Sequence, residues 1–81
     1  MSINNKIRAL LNMQGRKPQD LAAPLGISVQ AVRNKLYRDS FSASDLIKIA
    51  NALNCELAFI IDDNQRIILN KDDLRNEDIE P

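Results

Sequence analysis

The sequence predicts a small, mainly α domain in which four helices precede a C-terminal β-hairpin. Apolar residues recur at helical spacing from Ile3 through Leu53, and the period falls to two residues from Glu56 onward. Gly15, Gly26 and the tetrapeptide Asp62-Asp63-Asn64-Gln65 punctuate that pattern where elements must end. At 81 residues the chain is one domain, long enough for a core but with little surplus stability, so self-association would help it.

The first helix is expected from Ser2 to Gln14, with Ile3, Ile7, Leu10 and Leu11 facing inward and Gly15 as the stop. The second runs from about Pro18, which suits a first turn, to Leu25, with Leu21, Ala22 and Leu25 as core candidates. Pro24 removes a backbone donor and is expected to tilt or tighten the last turn of that helix. Gly26 can then take the left-handed conformation that ends it. Ile27 plugs the corner, and small Ala22 lets the helices cross closely.

Ser28 stands where a helix N-cap belongs and opens the third helix, Ser28 to Tyr37. Unwound at about 100° per residue, this helix has Val29, Val32 and Leu36 on one side and Gln30, Asn34, Tyr37 and Arg38 on the other. One side is core; the other carries the amides and cations that pair with base edges and phosphates. After the loop RDSF, Ser42-x-x-Asp45 makes a start resembling a capping box for the fourth helix. Its buried stripe is Leu46, Ile49, Ala50 and Leu53, with Phe41 placed to staple against Leu46.

Glu56 to Ile61 and Arg66 to Asn70 are strand-like runs about the turn. With Asp63 and Asn64 as the turn residues, Phe59 opposes Ile68 and Ile60 opposes Ile67. Leu57, Phe59, Ile61 and Ile68 then share one face, and Ala58, Ile60, Ile67 and Leu69 the other. Both faces are apolar, and a lone hairpin is marginal in water. A second copy of the chain is the simplest partner, which makes Leu57, Phe59, Ile60, Ile61, Ile67, Ile68 and Leu69 the expected dimer interface. The residues from 71 to 81, KDDLRNEDIEP, are acidic and expected to fray, although Leu74 and Ile79 leave room for a short docked turn.

Charge is segregated along a chain whose formal net charge is zero. Through Ser40, Lys6, Arg8, Arg16, Lys17, Arg33, Lys35 and Arg38 face only Asp20 and Asp39. From Phe41 onward four cations face nine carboxylates. A polyanion is steered to the first half and repelled by the second. Histidine is absent and Cys55 is the one cysteine, which excludes an intramolecular disulfide, structural zinc and a Cys-His nucleophile pair. The carboxylates gather in turn and tail rather than around a cleft, so no enzyme is expected, and no cofactor. No apolar run approaches the length of a membrane span, and MSINNKIRALL lacks a signal-peptide pattern, so a soluble, cytoplasmic protein without membrane partners is expected.

LAAPLGISVQAVRNKL followed by FSASDLIKIANALN resembles the phage-repressor-like family of helix-turn-helix regulators, of the lambda-repressor and Cro type, over about Ile3 to Asn54. The resemblance implies a compact DNA-binding bundle of four or five helices, usually dimeric, with the second helix of the motif in the major groove of double-stranded DNA. It places Ser28, Val29 and Gln30 at base edges, joined one turn later by Arg33 and Asn34. Gln30 and Asn34 suit adenine, and Arg33 suits guanine. Lys17, Gln19, Lys35, Tyr37, Arg38, Ser42 and Ser44 would meet phosphates. Two positions depart from the family: Pro18 stands where glutamine is frequent, and Lys35 where a hydrophobic residue is, with Leu36 taking over the core role. The hairpin resembles the carboxy-terminal strands through which some small phage repressors pair.

The expected organisation is therefore residues 1–54 as the DNA-binding domain, 55–70 as a dimerisation hairpin and 71–81 as an acidic tail. The expected function is a sequence-specific, dimeric, prokaryotic transcription regulator, a repressor. The alternative is an antitoxin-like protein whose acidic part binds a protein partner while the helical part binds DNA. Some side chains keep two readings. Arg33 reads bases or snorkels over the apolar stripe, Tyr37 bonds a phosphate or closes the bundle edge, and Cys55 is a small buried residue or a redox sensor.

Overall fold

The computed structural model describes residues 2–74. Arg75 to Pro81, which hold Ile79 and most of the acidic tail, lie outside the described residues. Within them stand helices α1 (Ile3–Met13), α2 (Ala22–Leu25), α3 (Val29–Arg38) and α4 (Ala43–Ala52) and strands β1 (Leu57–Asp62) and β2 (Gln65–Leu69). Short 3₁₀ turns at Pro18–Leu21 and Lys71–Asp73 complete the chain. This is the mainly α, lambda-repressor-like architecture with a C-terminal hairpin. The chain divides into two compact units between Ser42 and Ala43.

In the first unit the core is Ile7 and Leu11 from α1, Leu21 and Leu25 from the second helical segment, and Val32 and Leu36 from α3. The stripe on α1 is narrower than its spacing suggests. Ile3, at the first helical position, is exposed, and Leu10 is half-buried. Ala22 and Ile27 are also half-buried. Val29 lies 39 % exposed, so the inward side of α3 reduces to Val32 and Leu36.

Pro24 acts at the opposite end of its helix from the one expected. It has no N–H to offer the carbonyl of Asp20 four residues earlier, and its ring crowds that carbonyl. The segment therefore starts as the Pro18–Leu21 3₁₀ turn, with the Ala22 N–H donating to Gln19, and becomes α-helical only at Ala22. The Lys17 N–H is taken up by the Asp20 carboxylate at 2.9 Å.

All four helices stop in the same way. Gly15, Gly26, Asp39 and Asn54 follow α1 to α4 with φ between 56° and 68°, the left-handed region. In each case the next residue's N–H reaches back to the carbonyl five residues earlier. Arg16 donates to Leu11 at 2.8 Å, Ile27 to Ala22 at 3.1 Å, Ser40 to Lys35 at 3.0 Å and Cys55 to Ala50 at 3.0 Å. This pairing satisfies carbonyls that a helix end otherwise leaves open.

In the second unit α4 buries Ile47, Ile49, Ala50 and Leu53, whereas Leu46 is only half-buried. Ile47 was not expected in the stripe. It lines a small crevice with Ala50, Cys55 and Leu69, so α4 has a second inward side that meets the base of the hairpin. Cys55 is half-buried at the helix-to-strand junction.

The hairpin turns at Asp63-Asn64 as expected, with the Asp62 carboxylate accepting from the Asn64 N–H at 2.8 Å. Its register differs. The pairs are Leu57 with Leu69, Ala58 with Ile68, Phe59 with Ile67, Ile60 with Arg66 and Asp62 with Gln65, leaving Ile61 as the extra residue of a β-bulge. One inserted residue shifts every pair beyond it by one. Since directly opposed residues share a face, Leu57, Phe59, Ile67 and Leu69 form one face. The other holds Ala58, Ile60, Ile68 and Arg66, and Arg66 reaches Glu56 at 3.6 Å. Thus one face is wholly apolar and the other carries an exposed ion pair, correcting the expectation of two apolar faces.

The last 3₁₀ turn is bracketed by side chains: the Asp73 carboxylate accepts from the Asn70 N–H, and Asn70 Oδ1 accepts from the Asp72 N–H, each at 2.9 Å. The beginning of the acidic segment is thus a hydrogen-bonded turn, with Leu74 half-buried after it.

A Cβ at Gly26 would meet no atom within 4 Å, so Gly26→Ala tests backbone conformation alone. The left-handed penalty, partly offset by the stiffer unfolded chain, should lower stability by about 1 kcal/mol. The measurement is a lower urea midpoint at constant m-value; an unchanged midpoint contradicts the left-handed assignment.

Candidate nucleic-acid interface

The ten residues of α3 owe their placement to their two ends. At the start the Ser28 hydroxyl oxygen accepts from the Ala31 N–H at 3.0 Å, a side-chain cap. Gly26 turns the chain immediately before it, so only Gly26, Ile27 and Ser28 separate α2 from α3. That short corner is the turn of a helix-turn-helix.

At the other end Asp39 serves two helices. Its backbone takes the left-handed conformation that closes α3, and its carboxylate accepts from the Asn4 N–H at 2.6 Å. Asn4 is in the first turn of α1, where backbone donors lack partners within the helix and the dipole favours negative charge. Ser2 caps the same turn by accepting from Asn5 at 3.2 Å. Asn4 also holds Arg8 one turn on, its Oδ1 accepting from Nε at 2.8 Å.

The residues assigned to base edges occupy consecutive turns of α3. Gln30, Arg33 and Asn34 are exposed, and Val29 and Ser28 sit at the exposed N-terminal end. Gln30 Nε2 donates to Asn34 Oδ1 at 3.3 Å, so these two carboxamides form a linked pair. That bond leaves the Gln30 carbonyl as an acceptor and the Asn34 amide as a donor, the two functions an adenine edge requires.

The residues assigned to phosphates scatter more widely. Tyr37 is 90 % exposed, which rules out its closing the bundle edge. Arg38 is exposed at the end of α3, while Lys35 is half-buried with its ammonium 3.5 Å from the Ser40 carbonyl. Lys17 and Gln19 are exposed at the start of the second helical segment. Ser42 precedes α4 and Ser44 lies in its first turn, half-buried.

A cleft of about 640 Å3 runs along the side of α3. Gln30, Arg33, Asn34, Leu36 and Tyr37 line it from α3, Pro18 from the next segment, and Asn4 and Arg8 from α1. Asn4 and Arg8 were not among the sequence-derived contacts. Their four-residue spacing on the polar side of α1 was the available signal, but nothing local ties that side to α3.

Among the described residues no group of ionisable or sulfur side chains is arranged to hold a metal ion, and no helix is long and apolar enough to cross a membrane. A model of the bacteriophage CI repressor helix-turn-helix domain matches residues 6–65. No curated protein and no solved structure matches the chain.

Replacing Asp39 by Ala removes both the left-handed tolerance of α3's end and the acceptor for Asn4, and should cost about 1–2 kcal/mol in urea unfolding. Asp39→Asn, which keeps an acceptor oxygen and tolerates the same φ, should retain most of the stability. Equal losses in the two variants would assign the effect to the carboxylate charge instead.

Proposed function

Because the chain belongs to the bacteriophage CI repressor helix-turn-helix domain family, a family of DNA-binding regulators rather than enzymes, we propose that it is a sequence-specific repressor. It acts as a homodimer and reads the major groove with α3. The observation that carries the reading is the run of exposed Ser28, Val29, Gln30, Arg33 and Asn34 on a helix capped at one end and clamped at the other. Arg33 supplies a guanidinium suited to guanine, and the linked Gln30–Asn34 pair suits adenine. Lys17, Gln19, Lys35, Tyr37, Arg38, Ser42 and Ser44 hold the phosphate backbone. The family's description as a repressor domain supports repression, which requires only that the bound protein occlude its site.

The apolar face of the hairpin supports the dimer. Phe59 and Ile67 oppose each other there at 66 % and 62 % exposure, and exposed large apolar groups in a cluster mark an association surface. Leu57 and Leu69 continue that face toward the base, and Ile60, Ile61 and Ile68 complete the interface. Two copies joined this way present two α3 helices to half-sites about 34 Å apart on a near-palindromic operator.

Selection of bound sites from random DNA identifies the operator and its spacing. On that operator Asn34→Ala or Gln30→Ala should cost about 1–3 kcal/mol, and much less on random DNA. Equal losses on both would remove these residues from base reading. Their linkage further implies that the double substitution costs less than the two singles combined. Phe59→Asp should halve the sedimenting mass; an unchanged mass would take the hairpin out of the dimer.

A further inference from the structure

We propose that Arg8, held by Asn4 on α1, is a DNA-backbone contact that seats a phosphodiester in the cleft beside α3, outside the helix-turn-helix itself. The proposal rests on the reading that α3 enters the major groove. A B-form major groove is about 12 Å wide, and a helix with its side chains measures about 10–12 Å across. An inserted α3 therefore fills the groove. Whatever flanks it meets the phosphate wall rather than base edges.

The cleft is built for that wall. Arg8 brings a guanidinium fork to it and Tyr37 a hydroxyl, while Pro18 contributes apolar surface without a backbone donor. No carboxylate is among the residues that line it. The nearby Asp39 carboxylate is engaged by the Asn4 N–H. Arg8 donates through Nε to Asn4 Oδ1, which orients the guanidinium and leaves its two terminal nitrogens for a bidentate contact with phosphate oxygens. Asn4 is thus a positioning residue and Arg8 the contact. A free phosphate ion offers the same chemistry, and the proposal commits to the duplex backbone because the same cleft contains Gln30 and Asn34 of the reading face.

The test compares wild type, Arg8→Ala, Arg8→Lys and Asn4→Ala on the selected operator and on random duplex across a salt series, with urea midpoints to establish folding. Arg8→Ala should weaken both DNAs about equally, by about tenfold, and reduce the slope of log affinity against log salt by about 1. Arg8→Lys should keep the slope while losing part of the affinity, and Asn4→Ala should do the same. Unchanged affinity and slope in Arg8→Ala overturn the clamp while leaving the major-groove reading intact. A loss confined to the operator, with the slope unchanged, overturns it in favour of base contact. If inorganic phosphate at matched ionic strength perturbs the Arg8 Nε resonance as strongly as duplex does, the cleft is a free-anion site and the proposal fails. A wild-type protein without sequence preference fails earlier, at the reading on which the proposal rests.

Discussion

The architecture depends on one backbone constraint repeated four times: a single residue in the left-handed region after each helix. With φ positive at Gly15, Gly26, Asp39 and Asn54, the chain reverses within two or three residues and still pairs the carbonyls of the turn it leaves. Short connections follow directly. The corner between α2 and α3 is the consequential one, because the direction in which α3 departs is set by Gly26 and by the Ser28 cap two residues away. Two of these positions use glycine, which adopts the conformation without strain. The other two use Asp and Asn, the side-chain residues best suited to it.

A core as small as that of the first unit, six buried side chains, leaves polar ties a large share of the work of orientation. Asp39 shows how. One residue terminates α3, supplies an acceptor to the first turn of α1, and through Asn4 is linked to Arg8. The end of α3 and the first turn of α1 are thereby tied to one another directly. The exposed polar face of α3 and the structural chemistry at its terminus share about three turns of chain.

Much of this was legible in the sequence, and the misses have physical causes. Ser28, Gly15 and Gly26 announce themselves because capping and positive φ restrict residue choice strongly. Asp39 and Asn54 do not, since Asp and Asn serve equally well in loops, turns and caps. Ile47 was missed because a single stripe was sought on α4, whereas the helix has a second neighbour at the hairpin base. The strand register failed for a sharper reason. Counting outward from a correctly placed turn presumes one residue per rung, and the bulge at Ile61 breaks that count without any signature in an Ile-Ile-Asp sequence. Periodicity placed Gln30 and Asn34 on the polar side of α3 and the family resemblance added Arg33, but neither pointed to Arg8, because most of its neighbours in the cleft come from α3, more than twenty residues away.

The bulge also bears on how such a hairpin avoids runaway assembly. A two-stranded sheet exposes two edges, and a sheet able to grow at both would propagate as a fibre. Ile61 interrupts the regular spacing of hydrogen-bonding groups along β1, while β2 pairs without interruption. Growth is thus favoured at one edge only. A hairpin with one regular edge could add at most one further copy through it, so edge-to-edge growth would stop at two chains and not continue to a polymer.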